Sequence, residues 1–368
     1  MTLLRSLGCA FAVGTLALSA CSSSIGPHNM RRDRLDYEKE MSRQQNQEML
    51  FNIVQLRYSL SPTLIEPTQI ISAYTAETNT SANISGTPWI QGAGGTLGGS
   101  LGYSYSDSPT VTYQPVSGMQ FSVNILRPIS PQTLLPLISS GLPVDTLLQM
   151  TMQSIGPASN TTSTIAGTEG KEASIRFTYL LRALRKLQAG NALSIRSIAP
   201  TPATKTQPAQ PERTFILLPH SSAPEITELQ GQVRQALQLP PGCEQAEVIY
   251  GRTADHPGQV AMVTRSMLSI WEDVASTMEV PQKMVDKGVT APSVVRGPNE
   301  PQPAIIIHCS PEKPSNEQAY TSVEYEGSWY WIAKDDLASK LAFSMLQFIH
   351  AIAETASAKG AMVTIPSR

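Results

Sequence analysis

The sequence predicts an α+β fold, and three observations lead there. An uninterrupted stretch from Arg31 carries an apolar stripe in its second half, a pair of strand-like segments brackets a glycine-rich turn, and the C-terminal half alternates β and α signals while pairing its last two strands locally. Strands joined by a hairpin beside several helices favour α+β over a doubly wound parallel sheet.

The elements follow in chain order. From Arg31 to about Leu60 there is no proline or glycine until Pro62. The residues up to Gln47 are mostly polar, while Met49, Leu50, Ile53, Val54 and Leu56 repeat at helical spacing, so one long helix is expected, ended by Pro62 and Pro67. A β segment follows at "TQIISAYTAETNTSANISG", then a turn-rich "TPWIQGAGG", then "TLGGSLGYSYSDSPTVTY". There Leu97, Gly99, Leu101, Tyr103 and Tyr105 alternate with Gly98, Ser100, Gly102, Ser104 and Ser106, the period of a strand with one apolar and one small face. The two arms form an expected hairpin over about residues 68 to 114. "SPQTLLPLISSGLPVDTLLQMTMQSIG" predicts two short helices capped by Ser130 and by Asp145 or a neighbour.

"NTTSTIAGTEGKE" reads as a loop. A helix is expected from Ala173 to Ala189, with Phe177, Leu180, Leu181, Leu184 and Leu187 on one side and Gly190 as its stop. The Pro/Thr-rich stretch at residues 199–212 reads as a linker, which divides the chain into an N-terminal region at 31–198 and a C-terminal α+β domain at 213–368. In the latter, strands are expected at "TFILLPH", "AEVIYGR", "QVAMVT" and "AIIIHC". Helices are expected at "APEITELQGQVRQALQL" and "SMLSIWEDVASTMEV", with a hairpin in "TSVEYEGSWYWIA" turning at Gly327 and a last helix capped by Asp335.

The N-terminus reads as an address. Residues 1–20 contain one early positive charge, Arg5, and an apolar run from Leu7 to Leu18, about twelve residues where a membrane-crossing helix needs about 20. Leu18-Ser19-Ala20-Cys21 resembles the bacterial lipobox, which implies that Cys21 receives a diacylglycerol and becomes the first mature residue, followed by a tether at 21–30. More than one acyl chain makes such anchoring stable. Ser22 and Ser23 after the cysteine, instead of aspartate, imply transfer to the outer membrane, with the periplasmic face expected.

Composition bounds the rest. With 41% hydrophobic and 15% charged residues and a net charge of -2, the chain can build a core, and no block of one sign suggests a nucleic-acid partner. With Cys9 removed and Cys21 lipidated, Cys243 and Cys309 remain for an oxidising compartment, where a disulfide between them is expected, with two separately buried thiols as the alternative. The run "GAGGTLGG" lacks the Gly-Lys-Ser/Thr ending of a phosphate loop and leads into a strand, so no nucleotide is expected.

His308 and Cys309 are neighbours whose side chains diverge in a strand, His220 and His350 stand apart, and neither a metal nor another cofactor is expected. Asp335 and Asp336 read as a helix cap plus a favoured acid. The aromatics Tyr325, Trp329, Tyr330 and Trp331 read as a hairpin packed on the final helix. These acids and aromatics, with Glu326, also frame the rival expectation of a glycan- or peptidoglycan-active enzyme.

Five phrases, "MLFNIVQLRYSLSPTLIE", "SPTVTYQPVSGMQF", "SGLPVDTLLQMTMQSI", "TRSMLSIWEDVASTMEVP" and "VEYEGSWYWIAKDDLASKLAFSMLQFI", resemble in this order a family of uncharacterised proteobacterial envelope lipoproteins, over most of the mature chain. The chain departs from that pattern at Gln55, where the family has an arginine before Leu-Arg-Tyr. The resemblance implies an envelope location and carries no activity, cofactor or catalytic residue. The expected role is therefore a non-enzymatic structural or assembly component of the envelope, lipid-anchored at Cys21. Its hairpin would be the element that binds a partner or a second copy. Each arm also exceeds the 9 to 11 residues needed to cross a bilayer as tilted β, so an export-channel subunit that donates its hairpin to a shared barrel is the second expectation.

Overall fold

A computed structural model describes residues 27–63, 65–85, 96–115, 118–161, 172–203 and 208–358. The expected signal segment, Cys21 and the glycine-rich turn at 86–95 lie outside the described residues. The chain divides into two compact units, one made of Thr63–Ser122 and the other of the residues before and after it. Among the described residues no helix is long and apolar enough to cross a membrane.

In the larger unit, helix α1 spans Pro27–Arg57. It starts on a proline, whose missing N–H costs nothing in a first turn. Its stop precedes both prolines that mark the boundary in the sequence. Ser59 takes a left-handed conformation at φ 58°, and the Leu60 amide turns back onto the Gln55 carbonyl at 3.0 Å. Met49, Leu50, Ile53, Val54 and Leu56 are all buried, as the stripe predicts.

The smaller unit holds β1 (Ile65–Ser85) and β2 (Thr96–Pro115), 21 and 20 residues long. They pair antiparallel from Ile65 opposite Pro115 to Ser85 opposite Thr96, the hairpin expected from the alternating pattern. The register slips between Pro67 and Gln69. Pro67 has no amide hydrogen to give to a ladder, and such positions sit at strand starts and irregularities.

Helix α2 spans Gly118–Leu126. After it, Pro136 breaks what reads as one helix into α3 (Pro131–Leu134) and α4 (Pro136–Ser139), because its ring removes a donor and clashes with the preceding turn. Ser130 caps α3 by accepting from the Gln132 amide. Asp145 is not the cap of α5 (Val144–Thr151), which starts on Pro143. The carboxylate lies in the first turn, 3.7 Å from Arg185, and Gln188 Oε1 accepts from the Val144 amide at 3.1 Å. The second half of that stretch leaves the helix as β3 (Met152–Ile155), followed by β4 (Ala158–Ser159). Helix α6 (Ile175–Ala189) is capped by Ser174, and its five predicted apolar residues are buried.

Strand β5 (Ser194–Ile198) pairs with β6 (Arg213–Leu217) from Ser194 opposite Leu217 to Ile198 opposite Arg213. The stretch between them is therefore no domain linker. It is the connection of two neighbouring strands, drawn together further by Thr201 opposite Gln210. Helix α7 (Pro224–Ala236) leads to β7 (Gln245–Tyr250) and β8 (Gln259–Thr264). One six-stranded sheet results, in the order β4-β3-β8-β7-β6-β5. Neighbours in it run antiparallel except β7 and β8, so residues from both expected regions share one sheet.

Helices α8 (Met267–Thr277) and α9 (Gln282–Asp286) follow. The expected strand "AIIIHC" shrinks to β9 (His308–Ser310). Before it, Ile305 and Ile307 are buried, and the Ile306 amide is held at 2.9 Å by Ser339 Oγ instead of a strand neighbour. Strands β10 (Ala319–Tyr325) and β11 (Ser328–Ala333) form the expected hairpin, with Glu326 at φ 50° and Gly327 at φ 72°. Two successive positive φ values match the twist of paired strands and suit glycine in the second place. Strand β9 joins on the far side in the order β10-β11-β9, and α10 (Leu337–Ala358) closes the described chain.

Candidate functional site

The feature that most resembles a site for a partner is the ribbon formed by β1 and β2. At about 3.4 Å per residue each arm is roughly 70 Å long. In an antiparallel pair alternate residues turn their N–H and C=O groups toward the neighbouring strand, and the rest turn them outward. Among the described residues the ribbon is a sheet of two strands, so each arm carries one edge satisfied by the other arm and one edge open. An isolated two-stranded ribbon is marginal in water, and long open edges are templates for further pairing.

In the larger unit the predicted aromatic cluster has Tyr330 in the core and Tyr325, Trp329 and Trp331 half-buried around it, and Tyr325 and Tyr330 meet residues of α1 and its end. Tyr330 is fully buried, and its hydroxyl lies 2.5 Å from that of Tyr58. The Tyr325 ring sits 4.8 Å from Tyr58 and 6.1 Å from Phe51. The final helix contributes Phe343 against Tyr320, at 6.3 Å. Trp329 is covered by the Lys313 ammonium at 4.9 Å, and Trp331 lies 4.9 Å from the His308 ring. Of these four rings only that of Tyr330 is fully enclosed; Tyr325, Trp329 and Trp331 keep part of their surface exposed.

Cys309 belongs to the same cluster. Burial pushes its thiol up, and hydrogen bonds to Tyr330 and Ser328 pull the other way. A raised thiol is a poorer nucleophile at neutral pH. Cys243 donates to the Gln245 carbonyl at 3.2 Å, at the start of a strand in the other sheet. Both cysteines are free, so the expected disulfide is not formed: each thiol is held by the neighbours of a different sheet. His308 Nδ1 is 3.1 Å from Glu279 Oε1, and the other oxygen of Glu279 accepts from the Cys309 amide at 2.9 Å. Among the described residues no three histidine, cysteine or acidic side chains are grouped to hold a metal.

The paired acids divide their roles in the reverse of the expected order. Asp336, not Asp335, caps α10, accepting from the Ser339 amide at 3.0 Å and the Ser339 hydroxyl at 2.5 Å. Those bonds hold its carboxyl below the ordinary aspartate value. Asp335 and Glu326 are exposed. His350 lies beside Trp271 at 5.3 Å and 3.2 Å from Glu354, while His220 is exposed.

Two buried groupings have no signal in the sequence. Arg57 is enclosed at the end of α1, donating to the carbonyls of Ser276 at 3.3 Å and Ala291 at 2.6 Å, while Thr290 Oγ1 donates to the Arg57 carbonyl. Asp273 stands between two buried arginines, 2.6 Å from Arg296 and 3.5 Å from Arg265. Arg265 also donates to the carbonyls of Gln149, Met150 and Thr161, joining α5, the end of β4 and α8. A crevice beside Asp273, lined by Gln149, Ile270, Thr277 and Ile305, offers about 10 Å³, room for one water and far below the hundreds of Å³ of a small-molecule site. Compared with protein-family models, with curated proteins and with solved structures, the chain matches none of them.

Proposed function

We propose that the chain is a lipid-anchored, non-enzymatic structural or assembly component of the bacterial outer membrane, held by acyl chains on Cys21, and that the β1–β2 ribbon is the element with which it engages its partner. The observation that carries the reading is the ribbon itself, two long arms paired antiparallel with one slip near Pro67, a unit in their own right, each with one edge that no other described strand pairs. The rest of the chain supports it. The acids that could be read as catalytic serve as a helix cap or stand in solvent, and in the aromatic group that could stack on a sugar Tyr330 is buried and Tyr325 packs against α1. The lipobox-like Leu18-Ser19-Ala20-Cys21 supports the anchor.

A photo-reactive amino acid placed at Thr75 or Ser106, and for comparison at the exposed Glu225 of α7, tests this in intact cells. Adducts from the ribbon positions and none from Glu225, on protein whose mass carries the lipid on Cys21, are the expected result. Ribbon positions that yield no adduct, or an unlipidated protein in the cytosol, would contradict it.

A further inference from the structure

We propose that the partner of the ribbon is the ribbon of a second copy of this chain, and that the copies pair head to tail, the outer edge of β2 in one against the outer edge of β1 in the next. This rests on the reading of the ribbon as the engaging element and adds the identity and polarity of what it engages.

Among the described residues each ribbon has two different edges that no further strand pairs, one on β1 and one on β2. A second copy supplies both at the same ratio. Head-to-tail pairing uses a single kind of contact, keeps the sheet antiparallel throughout, and leaves no open edge once the rotation closes. The alternative two-fold pairing, β1 against β1, leaves both β2 edges open and needs a second, different contact to cover them. It also turns one ribbon end over end. Head-to-tail pairing instead keeps the Ile65 and Pro115 ends of every ribbon on the same side, so all copies are oriented alike.

Continuity of the ladder also addresses stability. A two-stranded ribbon in water is marginal, whereas three or more strands with a common face sustain themselves. Glycines and serines alternate with apolar residues through much of β2, from Leu97 to Ser106. Small residues there keep the close approach of a neighbouring backbone unobstructed.

The test uses two full-length copies carrying different tags, expressed together, both with Cys243→Ser and Cys309→Ser so that introduced thiols report alone. One copy carries Thr75→Cys in β1. The other carries Ser104→Cys, Ser106→Cys or Ser108→Cys in β2, positions on the sheet face that Thr75 shares with its opposite residue Ser106, scanned because the inter-copy register is to be found. Mild oxidation of intact cells should yield a covalent dimer bearing both tags for at least one β1–β2 combination, and none when both copies carry Thr75→Cys. A dimer formed only when both copies carry Thr75→Cys would overturn the head-to-tail polarity. Absence of any dimer, while the photo-reactive probe at Thr75 still captures a protein of different mass, would overturn self-pairing and leave the ribbon as a partner element. Absence of both would overturn the ribbon reading as well.

Discussion

The hydroxyl of Tyr58, just past the end of α1, and the hydroxyl of Tyr330, in the middle strand of the three-stranded sheet, meet at 2.5 Å in a buried site. Tyr330 also bonds Cys309, so its hydroxyl ties the first helix to two strands at once. Removing it leaves the buried Tyr58 hydroxyl without this partner, while the half-buried Cys309 thiol keeps Ser328; removing the Tyr58 hydroxyl leaves that of Tyr330 with the thiol. An unmatched buried polar group costs about 1 to 3 kcal/mol. Tyr330→Phe is therefore expected to destabilise by an amount in that range and Tyr58→Phe by less. The double variant should cost less than the sum, as groups sharing one bond do. Urea unfolding of the four proteins checks this; strict additivity would mean that the two hydroxyls act independently.

The same pair sets a limit at high pH. Burial raises both tyrosines above the ordinary phenol value. Above about pH 10 the unfolded chain loses these protons while the folded chain keeps them, so the folded state binds more protons and stability falls as pH rises. Each such group contributes up to about 1.4 kcal/mol per pH unit between its unfolded and folded values. The full contribution is present below about pH 10. Melting temperatures measured from pH 8 to 11 should decline steeply at the upper end, and less so for the double phenylalanine variant, which has lost both groups.

At the start of α10 the two aspartates should behave differently. Asp336→Ala removes a cap with two bonds to Ser339 and is expected to cost about 1 kcal/mol. Asp335→Ala, in solvent, should change stability by no more than about 0.5 kcal/mol. Because the carboxyl of Asp336 is held low, its contribution is present above its unfolded value and lost as pH falls through the folded one. An acid titration of the Asp336→Ala chain should lack that component. Equal effects of the two substitutions would contradict the assignment of the cap.

Asp273 holds two arginines whose side chains are 4% and 5% exposed. Asp273→Ala leaves buried positive charge without its counter-ion, for which about 3 to 5 kcal/mol is expected. Thermal unfolding should place this among the most damaging substitutions in the larger unit. By contrast Leu337, Leu341 and Phe348 on α10 are more than half exposed, and serine at any of them should change stability by no more than about 0.5 kcal/mol. Phe343→Ala, on the buried side of the same helix, should cost about 3 to 5 kcal/mol.

What was legible in the sequence was what depends on neighbours along the chain. Helical spacing at Leu50, Ile53 and Val54, and again at Leu180, Leu184 and Leu187, marks the sides that are buried. The Glu326-Gly327 turn and the hairpin of β1 and β2 are local pairings, and both follow the expected pattern. What was not legible depends on distant partners. Nothing local to Ile155 announces that it pairs with Met262, or that β7 and β8 run parallel without a helix between them.

Proline-rich composition is the same in a linker and in a connection whose ends are paired, so residues 199–212 read as a boundary that the sheet does not have. "AIIIHC" has the apolarity of a strand, yet the Ile306 amide goes to Ser339 at the cap of α10. The aromatic hairpin is expected against the last helix; its buried hydroxyl partner instead comes from Tyr58, in the Leu-Arg-Tyr phrase 272 residues earlier.

Whether the ribbon carries association is read from the size and melting of the full-length chain with residues 65–115 replaced by a short glycine-serine linker, beside the intact chain, both in mild detergent. If the ribbon alone carries association, the shortened chain sediments as a monomer and the larger unit melts within a few degrees of its value in the intact protein, which sediments as a multimer. A shortened chain that still assembles, or an intact chain that is monomeric in cells and in detergent alike, would contradict it.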